Sequence, residues 1–381
     1  MKNLADVNPL NNATQFAQRL VKWYRKEARE LPWRKTQNPY EIFVSEVMLQ
    51  QTPVERVLLY YSTFLSQFPD VQTLVAAPES ELLRVWSGLG YYRRARLLQQ
   101  AAKEVVHTYN GTFPSDPALL RRLPGIGRYT ANAIASFAFG RAVPVVETNS
   151  ARVLMRLFAV RGTIRSQEKQ LWRLAEELVP KRFSRTYNYA IMELGSLVCL
   201  SREPLCHRCA VAEFCLGMLR GVQKQIPQVQ KAPPTEREEW DILLLTRQGI
   251  QPELLVRLIP EREWHAGFYG FPVIKRKTQI GDNRIRRLYK LKFLCSSQLL
   301  GRVTFTVTNH NVTARVILCD GIDSSAAQLI MDRVKAEKWE WVPMSDLLLL
   351  TLALPYRKAL NLLDVDESGQ GDHHGDTGTD G

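Results

Sequence analysis

The hydrophobic period changes once along the chain, and this change restricts the folds open to it. From about residue 14 to residue 220, apolar residues recur at i, i+3 and i+4, as in FAQRLVKWY, VERVLLYYSTFL and QLWRLAEELV, which predicts amphipathic helices. Beyond about residue 237, WDILLLTR, ELLVRLI and VTFTVTN alternate and predict strands, followed by two helical patterns. The sequence thus predicts an all-α domain, a polar linker at 222–236, an α+β domain and a disordered acidic tail at 365–381.

Charge and length bound the class of protein. The chain has 381 residues, which at roughly 100–200 residues per domain fits two domains. Its 51 Lys and Arg against 38 Asp and Glu give a net charge of +13, which favours a polyanionic partner such as nucleic acid but does not require one. The N-terminus lacks the apolar core of a secretory signal, and no apolar run approaches the ~20 residues of a membrane span. We therefore expect a soluble intracellular protein without a membrane partner.

Four cysteines lie close together with the spacing Cys-x6-Cys-x2-Cys-x5-Cys. They are Cys199, Cys206, Cys209 and Cys215. In a reducing compartment such a cluster indicates a metal site rather than disulfides. The spacing leaves open an iron–sulfur cluster, a tetrahedral zinc and, as the plain structural alternative, four buried free thiols.

The segment LPGIGRYTANAI, residues 123–134, joins two helical patterns. Gly125 and Gly127 permit a tight turn whose backbone N–H groups can approach a phosphate, and the following helix points its positive end there. A Pro-Gly-x-Gly sequence is also common in ordinary turns. In a basic chain with a helix on each side, we interpret it as a DNA-binding helix–hairpin–helix.

Together, the hairpin and the cysteines resemble the endonuclease III superfamily of helix–hairpin–helix DNA glycosylases. LPWR (31–34), SEVMLQQT (45–52) and GLGYYRRAR (88–96) narrow the resemblance to the adenine DNA glycosylases, the MutY family. WHAGFYGFP (264–272) is similar to a motif of that family's C-terminal Nudix-like domain. The resemblance extends over most of the chain, from about residue 14 to residue 363.

The resemblance implies a specific domain organisation and cofactor. It implies an all-α glycosylase domain over 1–221 and a Nudix-like α+β lesion-recognition domain over 237–364. Within the first domain, a six-helix module would span about 36–140, and an iron–sulfur module would combine 1–35 with 141–221. The resemblance, rather than the spacing, favours one [4Fe–4S] cluster over zinc on the four cysteines. The active site is expected in the cleft between the two modules.

The resemblance also assigns catalytic residues. It places the acid that protonates the departing base on Glu46, which without the family would read as a solvent-facing helix glutamate. Glu147, followed by Asn149, stands where the family has Asp, so the second carboxylate is longer by one methylene and its position is expected to shift. Tyr129 occupies the place of the Schiff-base lysine of lyase-competent relatives, which implies a monofunctional enzyme in which Tyr129 hydrogen-bonds near the second carboxylate. Arg34, Asn149 and Glu193 match further family positions that line the adenine pocket or the active site, and Asn149 is counted among the catalytic residues.

Further residues are expected to contact DNA. Gln51 and Tyr91 match side chains that wedge into the base stack, and Thr52 ends the same SEVMLQQT motif. In the second domain, VTNH is the nearest match to the family's Phe-Ser-His segment, which reads 8-oxoguanine. Thr308, Asn309 and His310 are therefore candidate lesion contacts. Core aromatics and plain strand residues are the structural alternatives.

These assignments predict a monofunctional adenine DNA glycosylase of base excision repair. Its substrate would be double-stranded DNA with adenine opposite 8-oxoguanine or guanine. We expect it to act as a monomer and, if bacterial, in the cytoplasm with the nucleoid. Two alternatives stay open, a thymine or uracil mismatch glycosylase of the same superfamily and a lesion-binding protein without catalysis.

Overall fold

The chain forms two compact units in the computed structural model, Met1–Lys231 and Ala232–Gly381. The structure describes residues 8–229, 234–247, 251–260, 263–276, 296–322 and 339–363, with the side chains of 348 and 349 excepted. In that part of the chain, no helix has the length and apolar character needed to cross a bilayer. Two patterns of the sequence lie outside the described residues: the strand-like RLYKLKFLCS at 287–296, of which only Ser296 is described, and the helical SSAAQLIMDRVKAE at 324–337. The acidic tail also lies outside them.

The first unit is built from helices in its described part. In chain order they are α1 Ala13–Glu27, α2 Pro32–Lys35, α3 Pro39–Met48, α4 Val54–Gln67, α5 Val71–Ala76, α6 Glu79–Trp86, α7 Arg93–Tyr109, α8 Pro117–Leu120, α9 Arg128–Phe139, α10 Thr148–Leu157, α11 Glu168–Leu178, α12 Ser184–Leu197 and α13 Leu216–Leu219. This arrangement confirms the predicted all-α character of the unit.

Local signals in the sequence set several helix starts. The sequence Asp116-Pro117 predicts a helix start, because Pro suits the first helical position. In the structure Asp116 accepts a hydrogen bond from Ala118 N at 2.8 Å, and Pro117 takes the first position of α8. Asn38 caps α3 in the same way, through Tyr40 N at 2.9 Å. These interactions join residues within three positions of each other, which is why they can be read from the sequence.

Helix α3 is the central helix of this unit. Every residue from Ile42 to Met48 is buried, so this stretch of the helix has no solvent-facing side. Glu46 is therefore drawn into the interior together with its apolar neighbours. A separate core, which includes Phe16, Leu154 and Leu194, joins α1, α10 and α12.

The second unit contains a mixed sheet and a short helix, α14 Leu354–Leu360. The strands are β1 Glu236–Arg247, β2 Glu253–Leu258, β3 Tyr269–Gly270, β4 Val273–Arg276, β5 Ser296–Val307, β6 His310–Asp320 and β7 Trp339–Pro343. Their order in the sheet is β3-β2-β1-β6-β5, with β4 paired to β1 and β7 paired to β2. Only the β1–β6 pair is parallel among the described strands. Sheet and helix together agree with the predicted α+β class.

The first half of the predicted linker is folded. Ile226 is only 3% exposed and belongs to the helical core. Its carbonyl accepts a hydrogen bond from Arg156 Nε at 2.7 Å. Ile226 therefore anchors this part of the predicted linker to the helical unit, whereas Val229 beyond it is 92% exposed.

Candidate active site

A cavity of about 550 Å³ opens within the helical unit. It is enclosed by α2, the end of α3 with its following loop, the first turn of α9, the start of α10, and α12. It gathers most of the predicted catalytic and base-binding residues, namely Arg34, Glu46, Gln51, Thr52, Tyr129, Glu147, Asn149 and Glu193. Other lining residues that the sequence did not single out include Arg29, Trp33, Tyr189 and Ser196.

Glu46 lies at the wall of this cavity and is 2% exposed. Its Oε2 atom has no hydrogen-bond partner among the described residues. Burial, together with the charge of the nearby Glu147, raises the pKa of Glu46 to about 7, although a hydrogen bond from Tyr129 and the charge of Arg34 oppose the rise. Near neutral pH, Glu46 is therefore available in both its acid and its base form.

Tyr129 lies in the first turn of α9 and is half-buried beside Glu46. Its hydroxyl donates to the Glu46 carboxylate, and burial together with both carboxylates raises the pKa of the phenol well above its usual value. Tyr129 therefore remains a neutral donor. The resemblance implied a hydrogen bond near the second carboxylate. In the structure the hydroxyl donates to Glu46 and also feels the charge of Glu147, so Tyr129 lies near both carboxylates.

Glu147 caps the N-terminus of α10. Its Oε2 accepts from Asn149 N at 2.7 Å, and its Oε1 accepts from Ser150 N at 2.9 Å. Ser150 Oγ accepts in turn from Glu147 N at 2.8 Å, which completes a reciprocal capping box. Burial raises the pKa of Glu147, while these backbone N–H groups and Arg152 oppose the rise. The N–H groups of Asn149 and Ser150 thus hold the Glu147 carboxylate in one position, although its side chain is one methylene longer than that of Asp.

Arg29 and Arg34 bind Glu193 from two sides. Arg29 Nε and Nη2 donate to its two carboxylate oxygens, each at 2.9 Å, and Arg34 Nη2 donates at 2.6 Å. Burial alone would raise the pKa of Glu193, but these hydrogen bonds and charges outweigh it and lower the pKa to about 2. Arg29 was not among the residues predicted to lie at this site. Its position just ahead of the LPWR motif, five residues before Arg34, could have indicated that it lies there.

We expect Glu193→Gln to lower the free energy of unfolding by about 3 kcal/mol at pH 7, since two arginines would lose a buried anion. Because the folded-state pKa is lowered, this stabilisation is present above pH 4.5 and declines as the pH falls toward 2. Urea denaturation at pH 7 and pH 3 measures the difference. Glu30→Gln, which removes only an exposed pair with Lys35, is the matched control and should leave stability unchanged. Equal stability of Glu193→Gln and the original chain at pH 7 would contradict the prediction.

Arg152 connects the cavity with the cysteine loop. It donates through Nη2 to Asn149 Oδ1 and through Nε to the Cys199 carbonyl, both at 2.8 Å. A third hydrogen bond, of 2.6 Å, goes to the carbonyl of Gly195 in α12. Asn149 is thereby held in place at the cavity wall.

The four clustered cysteines follow α12 and are free thiols. Burial, together with the charges of the other three cysteines, raises the pKa of Cys209 to about 12, so the four thiols are close enough to affect one another. Arg156 Nη1 lies 3.3 Å from Cys199 Sγ. Within the described residues, no group of three or more His, Cys, Asp or Glu side chains converges on one metal position. The donor chemistry nonetheless suits a metal cluster, because buried thiolates need a compensating positive charge.

Three predicted DNA contacts lie on loops of the helical unit outside the cavity lining. Tyr91 is 49% exposed and has φ +49°, which is unusual for an aromatic residue. Gly125 needs its left-handed φ of +72°, and a Cβ there would lie 2.8 Å from Leu97 Cβ. Gly127 has an ordinary φ and caps α9, with open space where a Cβ would stand. That space lies beside the N–H groups that begin α9.

The predicted lesion contacts lie in the second unit, at the β5–β6 hairpin. Thr308 and Asn309 form its two-residue tip, between the paired Val307 and His310. Thr308 is exposed at this tip and has φ +53°, a strained conformation for a β-branched side chain. His310 is anchored in β6, where its Nδ1 lies 2.9 Å from Glu238 Oε1. Of the three predicted lesion contacts, Thr308 and Asn309 thus lie in the turn of the hairpin, whereas His310 lies in strand β6.

The chain is similar to known DNA repair proteins. The family described as HhH-GPD superfamily base excision DNA repair protein matches residues 44–181. Human adenine DNA glycosylase is 43% identical over 226 residues, which cover 56% of this chain and 41% of the relative. The adenine DNA glycosylase of Buchnera aphidicola subsp. Acyrthosiphon pisum (strain APS) is 30% identical over 269 residues, 69% of this chain and 75% of the relative.

A solved structure agrees with the helical fold. The structure of a thermostable thymine-DNA glycosylase matches with a TM-score of 0.52 and 29% identity, covering 56% of this chain and all of that chain. The chain spans about half the length of the curated relatives it matches first.

Proposed function

The chain belongs to the adenine DNA glycosylase family, and on this premise we propose that it is a monofunctional adenine DNA glycosylase. It would hydrolyse the N-glycosidic bond of adenine mispaired with 8-oxoguanine or guanine in double-stranded DNA. One observation carries the proposal. Glu46 is buried at a cavity wall with a pKa of about 7 and an unpartnered oxygen among the described residues, and a second carboxylate stands nearby.

The cavity suits an extruded nucleotide. Its volume of about 550 Å³ falls within the ~300–1,000 Å³ range of small-molecule sites. A glycosylase must take its base out of the stack to reach the bond that it cuts. The arginine pair on Glu193 and the rings of Trp33 and Tyr189 would offer hydrogen bonds and a flat surface to a purine.

The two carboxylates have different environments and would take different roles. Protonated Glu46 would give its proton to a ring nitrogen of adenine, so that the base leaves with the bonding electrons. The Glu147 carboxylate, held by the N-terminus of α10, would stabilise the positive charge that develops on the sugar. Water then adds to the sugar carbon, and the proton that it loses restores the acid form of Glu46. Tyr129 is a phenol that cannot form an imine with the sugar, so no strand cleavage would follow.

The proposed contacts to the DNA around the extruded base share one property, a position on a loop or at a helix start. Gln51 and Tyr91 would fill the gap left by the base, while the Gly125–Gly127 turn and the start of α9 would bind phosphate. Thr308 and Asn309 would contact 8-oxoguanine from the Nudix-like unit. We propose that the protein acts on this DNA as a monomer.

We further propose that the four cysteines hold one [4Fe–4S] cluster. Cys199, Cys206, Cys209 and Cys215 supply four thiolates, the usual ligand set of such a cluster. The cluster would fix the loop beside α10 and α12. A protein with the cluster is yellow-brown and contains iron and sulfide, whereas a colourless protein containing zinc would refute this assignment.

The proposed activity is tested by single-turnover base release from a duplex with one adenine opposite 8-oxoguanine. Parallel duplexes hold adenine opposite guanine, thymine opposite guanine, and adenine opposite thymine. We expect adenine release from the adenine:8-oxoguanine and adenine:guanine duplexes, with strand breaks only after alkali. The ratio of those two rates measures the preference for 8-oxoguanine.

Other outcomes would select the alternatives. Release of thymine from the thymine:guanine duplex would make the chain a mismatch glycosylase like its structural neighbour. Lesion-selective binding without release of any base would make it a lesion-binding protein. Breaks without alkali would refute the monofunctional assignment.

A further inference from the structure

We propose that Arg94 is a positioning residue that clamps together the two loops that carry Gln51 and Tyr91. This inference rests on the proposed function, because the loops matter for catalysis only if adenine must be extruded. Arg94 lies in the first turn of α7 and is 8% exposed. Its part in the family motif GLGYYRRAR gave no hint of this role.

The guanidinium group of Arg94 binds both loops at once. On the first loop, its Nη1 donates to the carbonyls of Val47 at 3.0 Å and Met48 at 2.8 Å, and also to that of Gln50. Its Nη2 donates to Thr52 Oγ1 at 3.0 Å. These acceptors surround Gln51 on both sides.

The same group reaches the second loop. Arg94 Nη2 donates to the carbonyls of Leu89 at 3.3 Å and Gly90 at 3.1 Å. The guanidinium carbon also lies 5.5 Å from the ring centroid of Tyr91. Trp86 supports this loop as well, since its Nε1 donates to the Gly90 carbonyl at 3.2 Å. One side chain therefore joins two segments that are distant in sequence.

Arg94 is a buried cation that is held by carbonyl dipoles. Burial lowers its pKa to about 10, and the hydrogen bonds named above go to carbonyl and hydroxyl oxygens. Val47 and Met48 close helix α3, whose last carbonyls have no partner within the helix and form its negative end. The charge of Arg94 thus also caps the helix that carries Glu46.

Gln51 and Tyr91 both have a left-handed backbone conformation. Gln51 has φ +58° and Tyr91 has φ +49°, a conformation that costs energy in residues other than glycine. Such conformations persist only where surrounding contacts impose them. The hydrogen bonds from Arg94 to the carbonyls beside these residues provide that constraint, which keeps both side chains projecting from the surface before DNA binds.

The test compares Arg94→Met with the matched control Arg93→Met in the full-length chain. The first substitution keeps an unbranched side chain but removes every donor, whereas Arg93 is exposed and its loss removes the same charge one position away. Arg94→Lys, which keeps the charge but can reach fewer carbonyls, serves if Arg94→Met does not fold. Base extrusion is followed by the fluorescence of 2-aminopurine placed at the adenine position opposite 8-oxoguanine, in a Glu46→Gln background and at saturating protein.

We expect Arg94→Met to reduce the fluorescence rise about fivefold and to slow single-turnover release about 100-fold in the chain that keeps Glu46, since a small misplacement of positioning groups has effects of this size. Arg93→Met should weaken only the salt-dependent affinity. Amide hydrogen exchange of the free protein provides a readout without DNA, and exchange should accelerate at 49–52 and 88–91 together. The pH at which release is half-maximal should stay the same, because Glu46 keeps its surroundings.

Two results would overturn the clamp. Unchanged exchange at both loops would show that Arg94 does not order them, and faster exchange with normal extrusion would show that their order does not matter. A chain with Arg94 in place that gives no fluorescence rise and releases no adenine would instead refute the proposed function. Hydrogen exchange would then still decide whether Arg94 holds the two loops together.

Discussion

Replacing Glu46 with Gln is expected to slow adenine release about 10³-fold, the scale of a lost general acid. Gln has nearly the same shape and keeps the hydrogen bond from Tyr129, but it has no proton to give to the base. The measurement is single-turnover release from the adenine:8-oxoguanine duplex. Glu41→Gln is the matched control, since Glu41 lies on the same helix but outside the cavity lining.

The pH dependence of release should identify the same group. The reactive form of Glu46 is its acid, and its pKa is about 7, so the rate should fall as the pH rises through 7. The residual rate of Glu46→Gln should lack this decline. Release by Glu46→Gln at a rate within about tenfold of the original would remove Glu46 from the acid role.

The same substitution should stabilise the fold at alkaline pH. A carboxyl group whose folded-state pKa is raised from 4.5 to about 7 costs stability as the pH rises above 4.5, and the cost is complete above 7. At ~1.4 kcal/mol per pKa unit, the cost is about 3 kcal/mol. Urea denaturation should therefore show Glu46→Gln to be the more stable protein at pH 8 and of equal stability at pH 4. Equal stability at both values would mean that Glu46 is not buried as a charge.

Glu147→Gln is expected to slow release about 10²- to 10³-fold, the scale of losing one preorganised electrostatic group. A neutral amide cannot offset the positive charge on the sugar. It also turns an N–H donor toward one of the two backbone N–H groups that Glu147 accepts from. Helix α10 should lose about 1 kcal/mol of capping stability, which thermal unfolding can measure separately.

Glu147→Asp is the matched comparison for this carboxylate. Asp keeps the charge and is a preferred N-cap residue, and the carboxylate retreats by roughly the ~1.5 Å length of one bond. We expect release within about tenfold of the original rate, since charge is kept and position shifts slightly. If Glu147→Gln were as fast as Glu147→Asp, charge at this position would have no role in release.

The helices and the chemistry at their ends were readable from the sequence. The apolar period predicted α1, α4 and α11, and Pro117 after Asp116 predicted the start of α8. The motif SEVMLQQT placed Glu46, Gln51 and Thr52 together at the end of one helix. In each case the interactions that decide the structure join residues within about four positions, so the sequence pattern contains them.

The hydrogen-bond partners and pKa values of the site residues could not be predicted in the same way. Arg29 meets Glu193 across 164 positions, and Arg94 meets Val47 across 47. The resemblance placed Tyr129 near the second carboxylate, and the fold also brings its hydroxyl to Glu46. It also presented the longer Glu147 as a positional problem, whereas the folded chain uses both of its oxygens to cap α10.

By itself, then, the sequence determined that the chain has a helical part with a hairpin and four clustered cysteines, a β-rich part, and a family whose motifs mark the reactive residues. Only the tertiary structure decided that burial brings the pKa of Glu46 to about 7, that two arginines keep Glu193 ionised, and that Arg94 joins the loops that carry Gln51 and Tyr91. Helical periodicity and capping act over a few residues, whereas pKa values and loop positions depend on burial and on charges brought together from distant parts of the chain.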